Sequence, residues 1–263
     1  MTTETSSTAA RPGRQENEAL AERLGVLALS LRVGHTHELT PSCRRIELTG
    51  DELGAMDPLP GQDIMIALDG EGARLRRRRY TIRHFDRAAC RVDLDIALHG
   101  DGPGIRWAMA SEPGLAVEAV GPRGKVSLDP GAGWHVFVGD DAFAPAALAM
   151  AEAVPADQPV LLAIEIDGPG HEQPEEIRAP VAGPRWVHRG QGAPGDPARL
   201  LEAVASLPLP DGPGHAYVGG EHHLVTAIRD ALVARGMEPD AISPKSYWRL
   251  GRQNAANGEP ERT

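Results

Sequence analysis

The sequence predicts an antiparallel β-barrel or sandwich followed by a parallel α/β domain, and two changes of rhythm along the chain predict it. From about Leu24 to Leu128, seven short alternating apolar segments are separated by Gly, Pro and Asp: VLALSLRV, CRRIELTG, DIMIAL, RRYTIRHF, CRVDLDIALHG, LAVEAVG and GKVSL. Period-two alternation at this spacing belongs to antiparallel sheets. After PGAG (Pro130 to Gly133) the units lengthen and alternate between strand and helix patterns, as in a parallel sheet with packed helices. At 263 residues the chain is near the size where one core stops growing, so two domains are expected.

Residues 1–23 are polar and read as a disordered tail. Residues 24–130 form the first domain, whose strand rhythm is broken once, by DGPGIRWAMASEPG. There Ile105, Ala108 and Met109 are spaced as one face of a short helix that Pro113 and Gly114 end. Residues 131–253 form the second domain, with the boundary near Gly131. Its units are WHVFVGD (strand), AFAPAALAMAEAV (helix), PVLLAIEID and PRWVHRG (strands), DPARLLEAVASL (helix), HAYVGGE (strand) and HHLVTAIRDALVARG (helix). HEQPEEIRAPVAGP reads as a loop, and residues 254–263 as a second disordered tail.

Composition narrows the function classes. A hydrophobic fraction of 41% suffices for packed cores, and a formal net charge of -10 opposes general affinity for nucleic acid or anionic lipid. The two cysteines, Cys43 and Cys90, are too few for a disulfide framework, a zinc site or an iron–sulfur cluster, so redox chemistry would need an organic cofactor. No apolar run reaches the ~20 residues that span a bilayer, and the first residues lack an apolar signal region. No membrane insertion and a cytoplasmic location are therefore expected.

Four stretches could carry chemistry. LRRRRYTIRHFD sets four arginines beside one of three tyrosines. In a strand, Arg78, Tyr80 and Ile82 share one face and Arg79, Thr81 and Arg83 the other, so a guanidinium and a ring lie side by side. That pairing suits a flat anionic ligand, although a charge run can equally face water. IALHGDGPGIRWA runs from a strand through glycines into a helix, whose first N–H groups would cradle an anion, or merely turn. VGDDAFAPAALAM ends the first α/β strand in Gly139, Asp140 and Asp141, at a ligand-type edge or as plain helix caps. ISPKSYWRLGR places Tyr247 and Trp248 among Lys245, Arg249 and Arg252, as a second basic cluster or an edge strand packed on the sheet. His35, His37, His222 and His223 lack metal-site spacing, so no metal is expected.

In this order the pieces resemble the siderophore-interacting protein family of ferric-siderophore reductases, within the ferredoxin-NADP reductase-like superfamily. The resemblance runs from about Leu31 to Arg252. It rests on LTPSCRRIELTG, on RRYTIR against the family's R-x-Y-T-x-R, on HGDGPGIRWA against H-G-x-x-G-P-x-x-x-W-A, and on GPRGK, GDDAFAPA and YWRLGR. Two departures stand out: Asp141 and Ala142 replace the Glu and Thr of the usual G-D-E-T-A-L-P-A, and DIMIAL lacks a lysine that relatives commonly carry.

The resemblance implies an N-terminal flavin-binding barrel and a C-terminal Rossmann-like domain of the NAD(P)H-binding type. Arg78 would meet a flavin phosphate, Tyr80 would pack on the isoalloxazine, and Thr81 would lie near flavin N5 as the catalytic position. Arg79, Arg83, Leu98, His99, Gly100, Gly102, Gly104, Trp107 and Ala108 would complete the FAD site, with Asp140, Asp141, Ala142 and Trp248 closing it from the second domain. Arg123, Lys245, Arg249 and Arg252 would form a rim for a ferric siderophore. The donor would be NADH, NADPH or reduced ferredoxin, and a nucleotide 2'-phosphate finds only Arg178, Arg185 and Arg189 near the second and third α/β strands. A monomer is expected. Two other roles share the fold: a flavin reductase or redox partner of a biosynthetic pathway, and a non-catalytic binder of flavin or ferric siderophore.

Overall fold

The computed structural model describes residues 13–68 and 76–251. Seven strands build the first domain: β1 (Leu27–Thr40), β2 (Cys43–Thr49), β3 (Asp63–Leu68), β4 (Arg76–Thr81), β5 (His84–Asp86), β6 (Arg91–Ala97) and β7 (Ala116–Arg123). Their order is β4-β3-β7-β1-β2-β6-β5, with every paired neighbour antiparallel. The outermost strands, β4 and β5, are consecutive in sequence, and the Arg83 N–H between them donates to Asp93 O at 2.9 Å on β6. That closes the sheet into a barrel. Alternation builds its core: Leu29, Leu31 and Val33 of β1 are buried while Arg32 points outward. Each such side chain contributes roughly 1.5–3 kcal/mol by leaving water.

GKVSL forms no strand. The chain leaves the sheet after Arg123, and Val126 and Leu128 pack on the second domain's core, because this segment has to cross between the domains. The expected N-terminal tail is also partly ordered: α1 (Arg14–Leu24) packs on β1 and β7. Its sequence, RQENEALAERL, is rich in helix formers, and Ala21 and Asn17 are buried against the barrel. Asn17 Oδ1 accepts from Arg77 Nη2 at 3.0 Å, which gives one of the four arginines a structural role.

The interrupting helix is α2 (Pro103–Ala110), with Gly104 and Ala108 buried. Met109, expected on its inner face, is 53% exposed, since the helix is turned to bring Trp107 inward instead.

The second domain contains β8 (Trp134–Asp140), α3 (Ala144–Glu152), β9 (Val160–Ile166), β10 (Val181–His188), α4 (Ala198–Ser206), β11 (Gly214–Glu221), α5 (His222–Ala234) and β12 (Ile242–Trp248). The strand order is β10-β9-β8-β11-β12 and all pairs are parallel. β8 and β9 are buried throughout, as befits strands covered on both faces. The direction of winding reverses between β8 and β11, so their carboxyl ends, Asp140 and Glu221, mark the crevice where open α/β sheets take ligands. The expected loop 171–184 is shorter at its end, because β10 begins at Val181.

α3 has alanine at five of its nine positions and is buried along most of its length, which fits a helix lying between two layers. Small side chains let it approach both the α/β sheet and the barrel. Gly61 of the barrel touches it, since a Cβ there would come 2.6 Å from Met150 Sδ.

Candidate functional site: a two-sided crevice between the domains

The pleat of β4 sorts the arginine-rich strand into two faces with different work. On one face Tyr80 stacks on Trp107 of α2, with ring centroids 5.5 Å apart and planes inclined by 26°. Gly104 makes this approach possible: a Cβ there would lie 2.4 Å from the Tyr80 hydroxyl oxygen and 3.4 Å from Arg78 Cγ. Arg78 and Tyr80 therefore border the N-terminus of α2. That terminus has no side-chain cap and no acidic residue in its first turn, so its first N–H groups and the positive end of the helix dipole stay available to an anion. Desolvation raises the Tyr80 phenol far above its ordinary value, keeping it neutral.

On the other face the arginines meet carboxylates. Arg79 forks onto Asp63, with Nε to Oδ1 at 2.9 Å and Nη2 to Oδ2 at 2.6 Å. Lys245 of β12 reaches the same carboxylate at 3.3 Å and lies 5.0 Å from the Tyr247 ring centre. Arg83 is buried and forks onto Glu152 at the end of α3, both contacts at 2.6 Å. Thr81 lies buried between these two arginines in sequence. Arg79 and Arg83, expected on the cofactor, both fork onto acids; Arg83 is buried, where a guanidinium requires a partner, while Arg79 is half-buried. Lys245, expected on the rim, is buried where β12 meets Asp63 of the barrel.

The second Gly-rich turn, Gly139 to Ala142, is filled by its own aspartates. Asp140 is buried and accepts from the backbone N–H of Ala142 at 3.1 Å and of Glu221 at 2.8 Å, and from Trp248 Nε1 at 2.8 Å. Gly220, at φ 132°, leaves the space for this carboxyl, which a Cβ would meet at 2.6 Å. Burial, then the neighbouring Asp141, push the Asp140 carboxyl up to about 7, against the two N–H groups that favour its ionised form. Asp141 Oδ1 bonds His99 Nε2 across the crevice at 2.6 Å, while Asp141 Oδ2 is buried without a hydrogen-bond partner among the described residues. The hydrogen bond to Asp141 raises the His99 imidazole above its ordinary value, although 36% of that side chain stays exposed.

The other expected residues fall around this core. Leu98 packs against the barrel core, Gly100 adopts φ 71° and Gly102 precedes α2. Arg123 Nη1 contacts Met65 Sδ at 3.4 Å, Arg249 is half-buried just after Trp248, and Arg252 lies outside the described residues. At the ends of β9 and β10, Arg189 is buried between Glu165 at 3.2 Å and Asp167, while Arg185 pairs with Glu175 and Arg178 is exposed. Sequence reading missed Asp63 and Glu152. Both carried a signal: Asp63 heads an otherwise apolar strand, and Glu152 is the one charged residue of α3.

A barrel with a stacking ring beside an uncapped helix, facing the carboxyl edge of a parallel sheet, defines a two-domain flavoprotein of the reductase type. Comparison with known proteins agrees. The siderophore-interacting FAD-binding domain profile matches residues 61–126, and the siderophore-interacting protein profile matches residues 132–251. The chain is 31% identical to ferric vibriobactin reductase ViuB of Vibrio cholerae over 195 residues, covering 69% of this chain and 68% of that protein. An uncharacterized Mycobacterium tuberculosis protein is 35% identical over 193 residues, a match spanning 66% of this chain and 65% of that protein's length. The crystal structure of the siderophore-interacting protein SipS from Aeromonas hydrophila superimposes with a TM-score of 0.76 at 35% identity, over 86% of this chain and 93% of that one. Phthalate dioxygenase reductase shares the fold, with a TM-score of 0.65 at 19% identity over 89% of this chain and 71% of that one. The chain belongs to the siderophore-interacting protein family, and its cofactor is FAD. The barrel fits that group: the uncapped start of α2 beside Arg78, and the Tyr80–Trp107 pair that Gly104 allows to pack against α2, suit a flat, phosphate-bearing molecule.

Proposed function

We propose that this chain is an FAD-dependent reductase of ferric siderophores that works in the cytoplasm with NADH or NADPH as donor. One observation supports this most: His99, in the turn that leads into α2, bonds Asp141 at the carboxyl edge of the parallel sheet at 2.6 Å, so the α2 turn borders that edge. A donor bound at that edge would therefore face the flavin with water largely excluded.

Arg78 and the N–H groups of α2 would hold the FAD phosphates, Tyr80 and Trp107 its flat ring system, and Thr81 would lie by N5. Bound there, FAD accepts two electrons together and passes them on singly, which matches a hydride donor to ferric iron. The chain's residues do the placing. His99 and Asp141 hold a proton at Nε2 beside the crevice, and Asp140 fixes Trp248 at the crevice wall. Arg123 and Arg249 would present positive charge to an anionic ferric siderophore. Once reduced, iron binds hard oxygen donors less tightly, so release follows from changed ligand preference.

The test takes two steps. Purified protein should be yellow and should bleach anaerobically with NADH or NADPH. A ferric siderophore then added with a ferrous chelator should give the chelator's colour. Protein that neither carries nor takes up FAD would overturn the proposal. Bleaching without ferrous product would instead indicate a flavin reductase or a redox partner, and no bleaching by nucleotide would turn the search to reduced ferredoxin.

A further inference from the structure

Resting on the reductase reading, we propose that Arg83 is a positioning residue: with Glu152 it fixes how the donor-side domain stands over the flavin strand, and it does not touch the cofactor. Arg83 follows Ile82 directly after β4, two residues from Thr81 and three from Tyr80. Its side chain is 2% exposed, and both terminal nitrogens are used on Glu152, 69 residues away in the other domain. Glu152 is held in turn by the Glu176 N–H at 2.8 Å. Against the upward push of burial, the Arg83 fork keeps its carboxyl below the ordinary range. Behind Arg83, Asp95 stands 3.8 Å away and is itself gripped by Arg45 at 2.6 and 2.7 Å. The series Arg45, Asp95, Arg83, Glu152 is thus a charge-alternating strut that starts on the barrel wall and ends on α3.

The other end of α3 strengthens the reading. The turn that feeds it carries Asp141, which bonds His99 of the barrel, so one short helix is tied to the first domain before its start and at its end. A second tie, Arg79–Asp63–Lys245, joins β4 to β12. Arg79 and Arg83, which begin these two ties, have odd numbers, whereas Arg78 and Tyr80 are on the even-numbered face of β4. The strand that presents Tyr80 is therefore flanked by the two points at which the second domain is held, Asp63 on the neighbouring β3 and Arg83 just after β4. A displacement of about 1 Å between reacting groups can cost about 10²-fold in rate, so such bolts set turnover without contacting substrate.

The experiment compares Arg83→Met, Arg83→Lys and Glu152→Gln with the unaltered chain. In the FAD-free protein, hydrogen exchange of the linker 124–133 should quicken in Arg83→Met and Glu152→Gln while the barrel strands β1 and β2 keep their protection. FAD affinity by fluorescence titration should stay within about twofold. Anaerobic bleaching by the better nucleotide should slow by about 10²-fold, bleaching by dithionite should not change, and Arg83→Lys should recover part of the loss. Folded variants with unchanged linker exchange and full nucleotide bleaching overturn the proposal. So does a fall in FAD affinity that matches the fall in rate, because Arg83 would then be a cofactor ligand. If Arg83→Met does not fold, Glu152→Gln, which keeps the side chain's shape, decides by the same readouts. If the unaltered protein takes no FAD or is bleached by neither nucleotide, the reductase reading fails, and linker exchange alone still decides whether Arg83 ties the domains.

Discussion

The chain contains two turns built on one backbone plan, and they have been put to opposite uses. Both Gly100 to Gly104 and Gly139 to Phe143 lead from the carboxyl end of a strand into a helix. In the first, the residues are three glycines, a proline and the exposed Asp101, the helix lacks a side-chain cap, and the neighbouring side chains are Arg78, Tyr80 and Trp107. In the second, two aspartates are buried: Asp140 takes up Ala142 N–H, Glu221 N–H and the Trp248 indole, and Asp141 bonds His99. A helix N-terminus is an anion site only while the chain leaves it unfilled. The first turn is therefore the one proposed for phosphate, while Asp140 in the second links β8, β11 and the end of β12.

Three experiments would break or sharpen that contrast. The largest effect is expected from Gly104→Val, which forces side-chain atoms into the space beside the Tyr80 hydroxyl and Arg78. FAD affinity should fall by about 10²-fold or more in a fluorescence titration, beyond the roughly 1–3 kcal/mol that overpacking costs in stability. A folded variant with normal affinity would remove the cradle from this turn. Asp140→Ala should act in the reverse sense. Three donors lose their acceptor, so chemical denaturation should show a loss of about 2 kcal/mol, while FAD affinity changes far less than in Gly104→Val. Equal losses of affinity in both variants would erase the distinction between the turns.

The smallest effect concerns pH. The His99 value is raised, so its contribution is complete below about 6.5 and is lost as pH rises through the folded-state value. Asp140, at about 7, is also raised, so the folded state holds a proton that the unfolded chain has already released near 4. Both terms make stability fall as pH rises from 6 to 8. His99→Gln should flatten that slope in thermal melts by less than about 1 kcal/mol, since the side chain is partly exposed and screened. A slope unchanged in His99→Gln would show that the His99–Asp141 bond is not formed in solution.

Much of the fold was legible in the sequence because its signals are local. Leu29, Leu31 and Val33 alternate as a barrel strand must, and the lengthening of units after PGAG marks the change to β8 and α3. Pro103 and the glycines around it mark the start of α2. The failures came where a segment's partner is distant. Asn17 and Ala21 order α1 only because the barrel offers them a surface, and GKVSL has strand-like alternation but is drawn across to the α/β core. In the site, the strand repeat placed Arg78 beside Tyr80, whereas Gly104 and Trp107 were added only by the family resemblance, and their contact with Tyr80 is set by the packing of α2. The carboxylate partners of Arg79, Arg83 and Lys245 were not legible, because charge alone does not tell which acid will meet it.

The sequence by itself determined the two sheets, their order along the chain, and the even face of β4 as the one carrying ring and guanidinium. Those features follow from the two-residue strand repeat and the helical repeat, which act over a few residues. Only the tertiary structure decided the odd face. Asp63, Glu152 and Lys245 come from a barrel strand, a helix and the last strand of the other domain, and Arg83 lies 69 residues from its acid. Buried charges must find partners wherever the fold brings them, and that placement is a property of the packed chain rather than of any segment.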